Sequence, residues 1–372
     1  MDSYQSDFQS ALHVMPGVEG GHDGLPGQKT IAMEAHNRGA WRRELTTQDY
    51  LEGVFGGDRT RLARAITLIE SNSHSHFAQA QELLTSILPK TGGAIRIGIT
   101  GVPGAGKSTF IEAFGSYLTG TGRKVAVMAV DPSSTVTGGS ILGDKTRMER
   151  LAADPKAFIR PSPSGGTLGG VARKTREALL VFEAAGYDVV LVETVGVGQS
   201  ETTVRSMVDF FLLVLVPGAG DELQGIKKGV VELADGILIN KADGANVIAA
   251  QMARAEYERA LHYLQPATAG WQTIALTASA LTGEGIPEVW ETIHNFVEAT
   301  KISGAFDQRR QSQEREWVRA IVEGHLIEQF YADQDIQRLL PELDLAVMRG
   351  EITATTAAQK LIEIFDVGRA TR

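Results

Sequence analysis

The sequence predicts an α/β fold: a mostly parallel β-sheet with helices on both faces, preceded by N-terminal helices and followed by a C-terminal helical arm. Three observations predict it. Short apolar runs at 95–100, 125–130, 188–192 and 210–216 alternate with amphipathic helical patterns, which is how strands covered on both faces read. The first run passes directly into a glycine-rich loop and then a helix. Polar residues follow the ends of several runs, and open parallel sheets bind ligands at the carboxyl ends of their strands.

In chain order, residues 1–43 carry scattered Gly, Pro, His and Gln without a period, and are expected to form a mobile leader. Residues 44–93 read as an N-terminal helical segment. Thr46-Thr47-Gln48-Asp49 heads a first helix with Tyr50, Leu51 and Val54, which Gly56-Gly57 breaks. Asp58 caps a second, with Leu62, Ala65, Ile66 and Ile69 on one face. A third, over 74–88, is expected to turn Phe77, Leu83, Leu84, Ile87 and Leu88 inward before Pro89 and Gly92-Gly93 end it. His74 and His76 lie two apart, on different sides of that helix, so solvated capping fits them better than metal binding.

Residues 94–300 read as a nucleotide domain. Further strands are expected at 157–159, 236–239 and 273–276, and helices at 171–185, 223–233, 247–264 and 286–297. Residues 301–372 are helical and polar, with stripes at Trp317, Ile321, Leu326 and Phe330, then over 339–348 and 357–365. They form either a dimerisation arm or a layer packed on their own domain.

Composition narrows the classes of function. The chain has 372 residues, 43% of them hydrophobic, enough for a substantial core. A net charge of −9 argues against nucleic acid or an anionic membrane as the main partner. With no cysteine, disulfides, cysteine-ligated zinc and thiol catalysis are excluded, and the composition fits a cytoplasmic setting. The longest apolar run, 210–216, is too short to span a bilayer.

The chemistry begins at Gly101-Val102-Pro103-Gly104-Ala105-Gly106-Lys107-Ser108, a complete G-x-x-x-x-G-K-[ST] loop between a strand and a helix. This is the signature of a P-loop NTPase. The N–H groups of Gly104, Ala105, Gly106, Lys107, Ser108 and Thr109 are placed to surround phosphate oxygens at a helix N-terminus. Lys107 reaches the β- and γ-phosphates, and the Ser108 hydroxyl faces Mg²⁺. Glu193 ends a strand three residues before Gly196, so its carboxylate is expected near the metal and the Gly196 N–H near the γ-phosphate. Asp131 and Asp144 are further carboxylates near this pole, with capping or solvation as the alternative for each. Gln199 is a candidate for orienting the attacking water, with a purely structural place as its alternative.

Which base follows is read from Asn240-Lys241-Ala242-Asp243, an N-K-x-D motif after a strand. The Asp243 carboxylate suits the N1–H and 2-amino donors of guanine. Adenine lacks that donor pair and would leave the acceptor unsatisfied. Asn240 braces the loop, the Lys241 stem lies over the ring, and Ser279-Ala280-Leu281 offers backbone N–H groups to the base edge.

With these residues in place the chain resembles the MeaB/ArgK/MMAA group of P-loop GTPases. The likeness runs over about 58–290, through GITGVPGAGKST, AVDPSSTVTGGSILGDKTRM, FIRPSPSGGTLGG, VETVGVGQSE, PGAGDELQGIKKG and NKAD in that order. The resemblance implies a Mg²⁺-dependent GTPase that gates adenosylcobalamin delivery to an acyl-CoA mutase such as methylmalonyl-CoA mutase, and protects or reactivates it. It further implies that Asp131, Asp144 and Glu193 surround the metal and γ-phosphate. It makes 138–148 the first switch, 195–201 the second and 221–227 the third. In the third switch Asp221, Glu222, Gln224 and Lys227 would answer to the mutase, hinged at Gly218 and Gly220. A homodimer is expected.

Three rivals share the loop, one of them a non-hydrolysing, nucleotide-gated scaffold that a phosphate-release assay would separate. A small-molecule kinase gives no reason for N-K-x-D, and a nickel-insertion GTPase calls for Cys/His clusters that this cysteine-free chain lacks.

Overall fold

The computed structural model describes residues 45–130, 148–161, 168–194, 200–218 and 228–370. The expected leader, most of the first switch, and 219–227 lie outside them. Seven strands make one sheet: β1 Ile95–Gly101, β2 Val125–Val130, β3 Ala157–Pro161, β4 Val189–Thr194, β5 Phe210–Leu215, β6 Gly236–Ile239 and β7 Ile274–Thr277. Every pairing between them is parallel, in the order β3-β2-β4-β1-β5-β6-β7. The chain builds outward on both sides of β1. The crevice at the carboxyl end of β1 therefore lies where such sheets receive ligands.

The period of two along the strands divides the core between the two faces. Ile97, Ile99, Val125, Val127, Val189, Leu191, Phe210 and Leu212 face one way, against Phe110, Ile111, Phe114 and Leu118 of helix α4 (Lys107–Gly120). Val289, Ile293 and Phe296 of helix α10 (Ile286–Ser303) complete that layer. Ala126, Met128, Val190, Val192, Phe211 and Leu213 face the other way, with Val54, Ile66 and Leu83 of the N-terminal helices and Phe182 of helix α6 (Leu168–Ala184). Each fully buried Phe or Leu of these layers contributes about 1.5–3 kcal/mol relative to exposure.

The N-terminal helices are α1 (Thr47–Phe55), α2 (Arg59–Glu70) and α3 (His74–Ile87). Thr46 and Asp49 form a reciprocal capping box, and the Asp58 carboxylate accepts from the Thr60 and Arg61 N–H groups. Two expected core residues are exposed instead. Phe77, in the first turn of α3, lies under the Arg173 guanidinium, 6.0 Å from its ring centroid. Leu88 falls in a 3₁₀ turn (Leu88–Lys90), where the helical period no longer aims it inward. His76 bonds through Nδ1 to Ser71 Oγ at 2.8 Å, in keeping with a capping role.

The remaining helices are α5 (Glu149–Ala153), α7 (Ser200–Arg205), α8 (Lys228–Val231), α9 (Val247–Leu261), α11 (Ala305–Ala332), α12 (Gln334–Met348) and α13 (Ala354–Ala370). Helix α9 ends three residues before the expected 264. Helices α12 and α13 pair around a small core of their own: Ile336, Leu343, Ala357 and Leu361, flanked by Phe330 and Phe365. No helix among the described residues is long and apolar enough to cross a membrane.

Candidate functional site

Strand β1 delivers the glycine-rich loop to the centre of the sheet's carboxyl edge, and α4 begins at Lys107. Gly106 precedes that helix at φ +83°, a left-handed conformation that favours glycine, and a Cβ there would meet Asn240 Nδ2 at 2.7 Å. Lys107 is buried, its ammonium donating to the carbonyls of Gly101 (3.0 Å) and Val102 (3.4 Å). Ser108 Oγ donates to Glu193 Oε1 at 3.0 Å, so the hydroxyl and the carboxylate at the end of β4 meet beside the loop. Pairing of β4 with β1 brings this about by setting Glu193 opposite Ile99.

The base side is held to the phosphate side by one residue. Asn240, almost wholly buried, donates from Nδ2 to the Ala105 carbonyl (2.9 Å) and accepts at Oδ1 from the Ala280 N–H (3.3 Å). The next residue, Lys241, adopts φ +59°, unusual for a long side chain. Asp243 Oδ2 accepts from Ser279 Oγ at 2.5 Å, and Ser279 Oγ accepts in turn from the Thr282 N–H at 3.1 Å. These contacts leave a cleft of about 250 Å³ lined by Gly106, Thr109, Asn240, Lys241, Asp243, Asn246, Ala280 and Leu281. Leu281 is 81% exposed at its mouth.

Asn246 was not among the residues expected from sequence. It closes a 3₁₀ turn after the motif, its N–H bonded to the Asp243 carbonyl at 2.9 Å. A polar residue three places beyond N-K-x-D is the signal that would have found it. Sequence reasoning also passed over Glu112 on α4, whose carboxylate accepts from the Arg150 N–H (2.9 Å) and holds the start of α5. Asp131, Asp144, Gly196, Gln199, Asp221, Glu222, Gln224 and Lys227 lie outside the described residues. Among those described, no group of three or more His, Cys, Asp or Glu gathers to hold a metal. Ser108 and Glu193 are nonetheless adjacent hard oxygen donors, the chemistry that Mg²⁺ takes alongside phosphate oxygens.

The sequence model of the family described as "Methylmalonyl Co-A mutase-associated GTPase MeaB" matches residues 62–335. A "Putative GTPase" of Caulobacter vibrioides is 56% identical over 312 residues, covering 84% of this chain and 95% of that protein. "GTPase ArgK" of Escherichia coli is 50% identical, covering 86% and 97%. "Methylmalonic aciduria type A homolog, mitochondrial" of Mus musculus is 42% identical, covering 91% and 85%. Among solved structures, one titled "LAO/AO transport system kinase" superposes with a TM-score of 0.70 at 43% identity, covering 87% of this chain and 99% of that one.

Proposed function

Because the chain belongs to the MeaB family of GTPases, we propose that it uses GTP hydrolysis to gate adenosylcobalamin delivery to, and to protect or reactivate, an acyl-CoA mutase of the methylmalonyl-CoA type. The observation that carries the guanine-nucleotide side is the Asn240 clasp. One buried amide joins the phosphate loop at Ala105 to the base-edge loop at Ala280. A base seated against Asp243 and a phosphate seated on Lys107 would thus be registered to each other.

In this reading the loop N–H groups of Gly104, Ala105, Gly106, Lys107, Ser108 and Thr109 and the Lys107 ammonium neutralise charge that develops on the γ-phosphate. Ser108 and Glu193, with Asp144, would hold Mg²⁺, whose contribution when bound is further neutralisation of phosphate charge. Asp131 stands beside the metal and γ-phosphate, Gln199 orients the attacking water, and the Gly196 N–H meets the γ-phosphate. Asp243 reads the guanine donors, Asn240 and Lys241 frame the ring, and Ser279, Ala280 and Leu281 close its edge. Asp221, Glu222, Gln224 and Lys227 form the segment that answers to the mutase. Exposed Val318, Val322 and Leu326, one above another at i, i+4 and i+8 on α11, support pairing of the arm with a second copy. A cysteine-free chain fits a cytoplasmic setting.

Two measurements test this. Wild type should bind GTP well ahead of ATP, and Asp243→Ala should lose roughly 10- to 100-fold in GTP affinity while ATP binding stays as it was. Capture of a purified acyl-CoA mutase should differ between GDP and a non-hydrolysable GTP analogue. Equal capture in both states would sink the gating role.

A further inference from the structure

Behind the phosphate loop a short chain of polar groups lies along one face of the sheet, under α7. Thr194 Oγ1 donates to Thr100 Oγ1 at 2.9 Å, and Thr100 Oγ1 donates to Glu201 Oε1 at 3.3 Å. Both threonines are fully buried and Glu201 is nearly so. The proton order is set by chemistry: each hydroxyl has a single hydrogen to give, and the carboxylate at the end can only accept. The three residues come from three elements, β1, β4 and α7. Their neighbours in sequence are what makes the chain notable. Thr100 immediately precedes Gly101, which opens the phosphate loop, and Thr194 immediately follows Glu193, the partner of Ser108.

We infer that Thr100, Thr194 and Glu201 are positioning residues for GTP hydrolysis, a buried hydroxyl relay that holds Glu193 in register with the phosphate loop and fixes the start of α7 to both. Apolar residues pack such interior strand positions more cheaply, as Val189, Val190, Leu191 and Val192 do in β4. A buried hydroxyl is retained without loss only where its bonds are made, and made bonds of this kind orient their groups. None of the three touches the cleft, so they act through Glu193 and the loop rather than on the nucleotide. The inference rests on the role proposed above for Glu193.

The test is made on the full chain with Thr194→Val, which keeps shape and removes the hydroxyl, and Thr194→Ser, which keeps the hydroxyl. Thr100→Val, Thr100→Ser and Glu193→Gln complete the set. We expect Thr194→Val to lower kcat for GTP about ten-fold, the upper end of what one neutral hydrogen bond contributes. KM and GDP affinity should move less than about two-fold, and Thr194→Ser should restore kcat. Thr100→Val should do the same or more, because it breaks both links. A wild-type kcat in folded Thr194→Val and Thr100→Val overturns the relay. So does a serine variant as slow as its valine counterpart, which would make the threonine packing the cause. If the valine variants melt far below wild type, the serine pair decides: near-wild-type kcat upholds the relay, and a valine-sized loss of kcat with GDP affinity unchanged overturns it. Glu193→Gln separates the two levels. If it leaves hydrolysis untouched, the proposed role of Glu193 fails first, whereas slow Glu193→Gln beside normal threonine variants removes the relay alone.

Discussion

The two ends of the sheet are built from different chemistry. At the amino end, the loops before β5 and β6 present Asp209 and Asp235, both fully buried and both answered by arginines. Arg310 of α11 bonds Asp209 with both its Nε and Nη2 at 2.7 Å, and Asp209 also accepts from the Arg96 N–H at 2.8 Å. Arg309 and Arg205 meet Asp235 at 3.1 and 3.6 Å. Nearby Arg176 lies among the Gln313 and Ser206 carbonyls and the Ser206 hydroxyl, and burial pushes its pKa down to about 10. At the carboxyl end the joints described above are mostly side-chain bonds to backbone: Lys107 to loop carbonyls, Asn240 to Ala105 and Ala280. The difference is instructive. Charge matched inside the protein makes a fixed base for the C-terminal helices, while bonds to a glycine-rich backbone frame a place where an arriving anion supplies the charge.

Breaking the amino end should cost most. Asp235→Ala leaves Arg309 and Arg205 buried without their carboxylate and should destabilise the protein by about 3–5 kcal/mol, read as a fall in the urea midpoint. Nucleotide affinity of the remaining folded protein should hardly change. Lys107→Ala should do the converse, lowering the rate of phosphate release by ~10²- to 10³-fold with little change in the midpoint. Gly106→Ala lies between these extremes. Its left-handed backbone and the approach of Asn240 should cost about 1–3 kcal/mol, and the loss should appear in GTP affinity as well as in melting.

The smallest effect concerns Glu70, at the end of α2. Burial is the main cause that raises its pKa, opposed by the hydrogen bond and charge of Arg160 and by Lys174. The folded state therefore holds a proton that the unfolded chain has already released, so this group's contribution to stability falls as pH rises through the range just above the ordinary glutamate value. Glu70→Gln should flatten that slope in unfolding measured across the same range; an unchanged slope would assign it to other groups.

Much of the carboxyl end was legible in sequence because its signals are local. The loop from Gly101 to Ser108 and Asn240 to Asp243 each lie within eight residues, and strand runs such as Phe210–Leu215 announce themselves by composition. The amino end was not legible. Arg309 and Asp235 are 74 positions apart, Arg310 and Asp209 101, and no periodicity links an arginine on a polar helix to an aspartate before a distant strand. The threonine relay hides for the same reason, and a Thr in a β-branched run reads simply as strand. Phe77 and Leu88 show the opposite: an apolar residue at the right spacing reads as core, yet a cation and a tightened turn leave each at the surface.

The paired helices α12 and α13 enclose four buried side chains, whereas the seven-stranded sheet is flanked by two extensive layers. Cooperativity scales with such enclosure. Amide exchange should accordingly register two tiers, with the terminal hairpin opening at a fraction of the free energy that the sheet demands. A macromolecule that grips the hairpin would then meet a surface able to remould itself while the nucleotide end keeps its shape.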